Sequence, residues 1–577
     1  MRFSLAKTVA LALAVWLSRA NAGSPETPVR FVEVGESAGL TAPHHTRTFH
    51  GPHSEVLEMF TSGGAAVAVG DFDRDGDDDL FLTDSEAGLP NHLYRNDGKM
   101  HFTDVAAEAG VAAGNTDSAI VSDALWFDYD NDGWEDLVLA RFGTPVLYKN
   151  LGDGRFRDVT KQSGLNTFAN SIAVIAFDYD EDGRLDLLFG NYFQPVDLTD
   201  LTTTRVLPND LDNATNGGGL SLWRNEGGGK FRDQTKATGL DGYSGWVLDV
   251  AAGDLDNDGD LDIYAAADYG TDRMYFNDRG RGFRDVTEHA IGRDTRKGMN
   301  AELGDYDNDG WLDIYVTNIT DEYMRECNML WHNVGDGTFL DVSRETQTCD
   351  TRWGWSAKFA DFDNDGWLDL FATNGMRSGD DGNYVLAIVP VITRRGVDFA
   401  DLQTWPKIGT MSWSGYQRSK LFWNREGTVF EEIGKRAGVD NDRDGRGVAV
   451  ADFDNDGRLD FIQTNVGQRP FLYRGVAENG ANWLQLRLVA KHGPPSAIGA
   501  RVRVQTGRLV QARTVDAGNG YAAQSTRQLH FGLGEAAKAD RVTVTWPSRK
   551  QEEFSVRINR LTTIEEGSGE PVRTGTE

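Results

Sequence analysis

Asp452-Phe453-Asp454-Asn455-Asp456-Gly457-Arg458-Leu459-Asp460 sets four carboxylates around one glycine turn. The pattern D-x-D-x-D-G-x-x-D occurs seven times, with the other copies starting at Asp71, Asp128, Asp178, Asp254, Asp305 and Asp361. Oxygen ligands on alternate residues of a loop suit a hard cation, since Ca2+ takes about six to eight oxygens at roughly 2.3–2.6 Å. The glycine at position 6 lets the backbone turn sharply enough to close the loop. Position 7 would offer only its backbone carbonyl, and its side chain varies freely: Asp77, Trp134, Arg184, Asp260, Trp311, Trp367 and Arg458. Without a cation, four carboxylates in so small a volume would repel one another. Plain Asp/Gly-rich turns would not hold one nine-residue spacing through seven copies.

The expectation is therefore about seven Ca2+ sites. Their ligands are Asp71, Asp73, Asp75 and Asp79; Asp128, Asp130, Asp132 and Asp136; Asp178, Asp180, Asp182 and Asp186; Asp254, Asp256, Asp258 and Asp262. The remaining three loops supply Asp305, Asp307, Asp309 and Asp313; Asp361, Asp363, Asp365 and Asp369; and Asp452, Asp454, Asp456 and Asp460. An EF-hand starts in the same way but needs a Glu at position 12 between two helices. Here position 12 is Leu82, Leu139, Phe189, Ala265, Val316, Ala372 and Gln463. The flanks, such as Gly447-Val448-Ala449-Val450-Ala451, are short runs of strand type, so each loop joins two antiparallel strands.

A second repeat lies between the loops. Leu93-Tyr94-Arg95-Asn96 followed by Phe102-Thr103-Asp104-Val105 returns at Leu147, Leu222, Met274, Leu330 and Leu421. It reads as strand, tight turn, strand. Each unit thus holds four strands, and a period of about 50–60 residues predicts a seven-bladed β-propeller over residues 23–479 in an all-β chain. Phe31-Val32-Glu33-Val34 is an outer strand without its partner, and Leu472-Tyr473-Arg474-Gly475 is that partner without an outer strand. Together they complete one blade, which closes the ring and hides its edges. The calcium hairpins then fall on one face. On the other lie the insertions of blades 3 and 6, about residues 190–221 and 374–420, and the entry loop 35–64.

That second face holds the other candidate ligands. His44, His45, His50 and His53 crowd the entry loop, and imidazole suits transition metals. In blade 6, Arg394, Arg395, Trp405 and Trp413 are candidates for a cationic, aromatic pocket. The competing reading of both groups is an exposed loop and an insert packing on itself. Residues 480–567 alternate apolar and polar as a small β-sandwich-like domain, and 568–577 read as a polar, disordered tail.

Residues 1–22 carry Arg2 and Lys7, an apolar core from Val9 to Leu17, and Ala20-Asn21-Ala22, the pattern of a cleaved secretory leader. No later segment is long and apolar enough to span a membrane. The expected destination is secreted, periplasmic or cell-surface, where millimolar calcium affinity suffices. In that setting Cys327 and Cys349 are expected to form a disulfide. The formal charge of −31 comes largely from the loop aspartates, and no basic patch dominates, which argues against nucleic acid as a partner. No Gly-x-Ser-x-Gly, His-Glu-x-x-His, P-loop or dinucleotide fingerprint occurs.

The seven loops resemble the FG-GAP/VCBS repeats of integrin α-subunit propellers. Ala497-Ile498-Gly499-Ala500-Arg501-Val502, Gly518-Asn519-Gly520-Tyr521, Leu529-His530-Phe531-Gly532-Leu533-Gly534 and Val544-Thr545-Trp546-Pro547 resemble the ASPIC/UnbV domain. The combination is similar to the cartilage acidic protein family in its bacterial-type form. The reading that follows is a non-enzymatic binding or adhesion module for an extracellular protein, glycan or polymer. The alternative is an enzyme or biosynthetic accessory protein, which the likeness to UnbV-type members implies, using a pocket on the face opposite the calcium loops.

Overall fold

The computed structural model describes residues 27–51, 53–477, 479–516 and 518–572, so the expected leader at 1–22 lies outside the described residues. Each calcium-type loop closes a hairpin. In the first unit, Val67–Gly70, Asp79–Leu82, His92–Asn96 and Phe102–Asp104 pair antiparallel in chain order. Among the described residues, seven such four-strand meanders occur, the second and third joined by pairing of Ala169 with Gly143.

Their first strands are Val67–Gly70, Ile120–Phe127, Ala169–Phe177, Trp246–Gly253, Glu302–Gly304, Gly354–Ala360 and Gly445–Ala451. They pack side by side in this order, and the seventh packs against the first. Both faces of these strands meet neighbouring sheets, so almost every residue along them is buried. The last meander takes its outer strand from the other end of the chain. Phe31, Val32 and Glu33 pair with Gly475, Arg474 and Tyr473, as the unmatched half-units in the sequence require.

An Asn at or near the end of the third strand ties six of the meanders to their neighbours. Its backbone N–H donates to the position-9 aspartate of its own loop, and its side-chain amide donates to position 2 of the preceding loop. The second bond runs from Asn96 to the Phe453 carbonyl (3.0 Å), Asn150 to Phe72 (2.9 Å) and Asn225 to Tyr129 (2.7 Å). It continues from Asn277 to Tyr179 (2.9 Å), Asn333 to Leu255 (2.8 Å) and Asn424 to Tyr306 (2.9 Å). The seventh meander has Gly475 at this place, and Asn479 reaches the Asp363 carbonyl instead (2.5 Å).

Beyond the ring, Leu529–Gly534, Asn482–Val489 and Leu561–Glu565 form one sheet. Leu509–Thr514, Arg501–Thr506, Arg541–Thr545, Gln551–Phe554 and Glu570–Pro571 form a second. Val502, Val504, Val542, Val544, Leu484, Leu486 and Phe531 fill the core between them. The tail read as disordered from 568 is ordered as far as Val572. Glu552 and Glu553 pair with Pro571 and Glu570, and Gly569 leaves room for the chain to cross Phe554.

This second domain is not a separate bead. Its segment from Gly518 to Gln528 enters the axis of the ring and occupies edge hydrogen-bonding groups of the inner strands. Ala523 and Gln524 pair parallel with Val67 and Ala68. The Gln524 amide accepts from the Trp126 N–H (2.8 Å) and donates to its carbonyl (3.0 Å). Asn519 accepts from the Ala252 N–H (2.9 Å), and Thr526 donates its N–H to the Val450 carbonyl (3.0 Å). Buried Lys358 pairs with Glu302 (3.0 Å) and also donates to the Asn519 carbonyl. Tyr521, wholly buried, donates its hydroxyl to the Gly63 carbonyl at the far end of the channel.

Candidate metal loops and the covered face

Within each nine-residue loop the backbone is set by three recurring contacts. Position 4 adopts a left-handed conformation in all seven copies, with φ between 56° and 60° at Arg74, Asn131, Glu181, Asn257, Asn308, Asn364 and Asn455. Asn tolerates that region better than most residues, which accounts for its five appearances there. Position 5 turns its carboxylate onto the N–H of position 7, as Asp132 does to Trp134 (2.9 Å) and Asp309 to Trp311 (2.8 Å). Position 9 accepts at both oxygens. Asp136 takes the N–H of Tyr129 (3.1 Å) and of Asn150 (2.7 Å), and Asp460 those of Phe453 (2.9 Å) and Gly475 (2.8 Å).

Positions 1, 3 and 9 converge. In the first four loops an oxygen of each lies within 4.8 Å of the others: Asp71, Asp73 and Asp79; Asp128, Asp130 and Asp136; Asp178, Asp180 and Asp186; Asp254, Asp256 and Asp262. In the fifth, Asp307 and Asp313 converge with His332. Six loops also leave a buried carboxylate oxygen without any hydrogen-bond partner: Oδ1 of Asp71, Asp130, Asp180, Asp254, Asp305 and Asp454. A buried acceptor left open is costly unless a cation or donor meets it. Burial, then the neighbouring carboxylates, push Asp79 up to about 9 and Asp136 up to about 8. The donor set is buried and, apart from His332 in the fifth loop, made of carboxylate oxygens, and these residues fit a hard divalent cation.

The sixth loop differs. Asp361 accepts from Asp365, Gly366 and Gly532, and Asp363 accepts from the Trp423 indole (2.9 Å). In three other loops the position before the repeat Asn, or before Gly475, supplies a basic neighbour: Lys149 to Asp132 (2.9 Å), Arg224 to Asp180 (2.5 Å) and Arg474 to Asp454 (2.5 Å). Phe276 and Trp423 hold that place in the fourth and sixth loops.

The loops touch one another around the ring. Position 4 reaches the position-6 carbonyl of the next loop, from Asn131 to Gly183 (2.8 Å), Asn308 to Gly366 (3.0 Å) and Asn364 to Gly457 (3.0 Å). Asn257 does the same to Gly310 (3.3 Å). The repeat of Asn at position 4 was visible in the sequence, but its role depends on a neighbour 52 to 93 residues away.

The C-terminal domain covers this face. Arg487 contacts Asp71 (3.4 Å) and Gly76 (3.1 Å), Gln485 donates to Asp452 (3.0 Å), and Gly532 to Asp361 (3.0 Å). Arg527 pairs with Glu135, Arg549 with Glu181 and Asp260, and Arg501 bonds Asn257 and Gly310. All seven loops or their hairpins are met. A Cβ on Gly457 would lie 1.9 Å from Trp483, so this glycine, at φ 85°, serves both the turn and the seat of the domain.

On the opposite face the expected ligand groups do not assemble. His44 is buried against Ser85 (3.2 Å), and burial pushes its imidazole down to about 3. His45 pairs with Asp84 (2.8 Å), His50 is exposed, and His53 precedes the helix Ser54–Phe60. Trp405 packs edge-on to Phe60 (5.5 Å) and Trp413 edge-on to Trp353 (4.8 Å), while Arg394 and Arg395 lie exposed beyond the helix Val385–Ile392. Burying each ring against the aromatic core outweighs lining a pocket. The two insertions interlock, Leu207 donating to the Ala400 carbonyl (3.1 Å) and Leu402 to the Thr204 carbonyl (2.8 Å). Cys327 and Cys349 are joined by a disulfide.

The FG-GAP-like repeat family matches residues 128–189, 210–265, 254–316, 320–372 and 410–462, and the ASPIC and UnbV family matches 490–571. The chain belongs to the FG-GAP/UnbV family. Cartilage acidic protein 1 of Mus musculus is 27% identical over 363 residues, covering 57% of this chain and 53% of that protein. The Xenopus tropicalis protein of the same name is 30% identical over 249 residues, covering 39% and 38%. This FG-GAP/UnbV chain therefore spans about half or less of the curated relatives it matches. Among solved structures it is similar to an Agrocybe aegerita lectin that recognises non-reducing terminal N-acetylglucosamine (TM-score 0.36, 15% identity, 70% of this chain and 86% of that one). It is also similar to the BP39L lectin of Burkholderia pseudomallei (TM-score 0.43, 8% identity, 72% and 96%). Among the described residues no helix is long and apolar enough to cross a membrane.

Proposed function

We propose that this FG-GAP/UnbV protein is an exported, calcium-stabilised, seven-bladed β-propeller that works as a binding module through the face opposite its calcium loops. The observation that carries the reading is the seat of the C-terminal domain. It meets all seven loop hairpins and threads the axis, so the loop face is taken up by the protein itself. The metal role is then structural. The loop aspartates at positions 1, 3, 5 and 9 would hold Ca2+, position 7 would add its carbonyl, and the ion would offset the repulsion among the crowded carboxylates. Partners would be extracellular proteins, glycans or polymers that meet the insertions and the entry segment.

The test is a melting curve of the mature chain with calcium, with chelator, and with calcium restored, together with hydrogen exchange in the presence of a captured partner. The reading expects a large, reversible loss of stability on chelation and partner protection on the opposite face. Protection confined to the calcium loops, or a melting temperature indifferent to chelator, would overturn it.

A further inference from the structure

Six of the seven meanders bury the aromatic residue two before the repeat Asn, or before Gly475 in the seventh. Tyr94, Tyr148, Tyr275, Trp331, Phe422 and Tyr473 are all 7% exposed or less. Trp223 of the third meander is the exception and lies only partly buried. It lines a cleft of about 760 Å3 on the opposite face, between the second and third meanders. That volume is in the ordinary range for small-ligand sites.

Behind the ring stands a short chain of polar groups. Ser171 donates to the Asn191 carbonyl oxygen (2.7 Å), and the Asn191 amide donates to the Ser221 hydroxyl (3.1 Å). Asn191 has a second amide hydrogen and Ser221 has its own hydroxyl hydrogen. Neither meets an acceptor among the described residues, although Asn191 and Ser171 are buried. The rim carries Arg232 and Lys236 against Asp233 and Asp241, two charges of each sign. A flat aromatic face, unspent neutral donors and a balanced rim fit a ligand that is uncharged, rich in hydroxyls and apolar on one side.

We infer that the Trp223 cleft is a binding site for a neutral pyranose unit of an oligosaccharide, stacked on the indole and held by Asn191 and Ser221. This rests on the binding-face reading above and names its ligand class. Pro195, at the start of the third meander's insertion, and the strand residues that flank it, Asn191, Phe193, Gly218 and Ser221, line one side of the cleft, so that departure from the repeat adjoins the site.

Isothermal titration with neutral hexaoses (cello-, xylo-, manno- and malto-series) tests it on the full mature chain. At least one series should bind, Trp223→Ala should weaken it tenfold or more, and Trp223→Phe should retain it within about threefold. Saturation-transfer NMR should place the sugar C–H protons nearest the aromatic ring, which keeps the test open if Trp223→Ala folds poorly. Absence of binding by the whole panel overturns the site. Undiminished binding by a folded Trp223→Ala also overturns it while leaving the binding face intact, whereas hexaose protection on the calcium loops would sink the face itself.

Discussion

Gln524→Ala should loosen the grip of the axial segment on the ring. The inner strand of the second meander turns an open edge to the channel, so the backbone of Trp126 has no strand partner there. Gln524 supplies both missing bonds, at 2.8 Å to the N–H and 3.0 Å to the carbonyl. After truncation Arg527 still donates to the carbonyl (3.0 Å), but the N–H, wholly buried, is left without an acceptor. Two net hydrogen bonds at about 1 kcal/mol each, with the added cost of one orphaned donor, come to about 3 kcal/mol. Urea unfolding at fixed calcium measures it, read alongside hydrogen exchange of the Trp126 amide. A variant within about 0.5 kcal/mol of the native chain, with Trp126 still protected, would refute the reasoning that the C-terminal segment completes the ring.

Asn277→Ala removes the bonds to the Tyr179 and Leu261 carbonyls and should cost about 2 kcal/mol in the same unfolding assay, without changing calcium content. His44, held near 3 by burial against an ordinary value of 6.5, must stay neutral in the folded chain. Its contribution is present above pH 6.5 and is lost as pH falls towards 3, by roughly 2 kcal/mol at pH 5; the fall should be shallower in His44→Gln across a pH series of urea midpoints. Reducing the Cys327–Cys349 bond frees a loop of 22 residues and should lower stability by about 3 kcal/mol, read as a reductant-dependent melting shift.

The ring was legible because its signals are local and repeated. A nine-residue loop with glycine at position 6, strand-type flanks and two unmatched half-units fixed hairpin, meander and closure, and Phe31–Glu33 lies where that pattern puts it. The axial segment was not legible. Gly518-Asn519-Gly520-Tyr521 carries only the likeness to the ASPIC/UnbV domain, and nothing local says that its polar groups meet Gly63, Ala252 and Lys358, far earlier in the chain. The histidines misled for a related reason. Four in ten residues look like one site, yet His44 and His45 face separate partners, Ser85 and Asp84. Trp405 and Trp413 had two uses open to them, and packing against Phe60 and Trp353 took both. Trp223 was quoted by the repeat itself. Only its incomplete burial, a property of the folded neighbours, marks it out.

Calcium content of the mature chain, measured by elemental mass spectrometry after dialysis against calcium-buffered solution, tests the seven-loop reading most directly. Close to seven Ca2+ per chain is the expected result. Two or fewer, or another metal in their place, would contradict it.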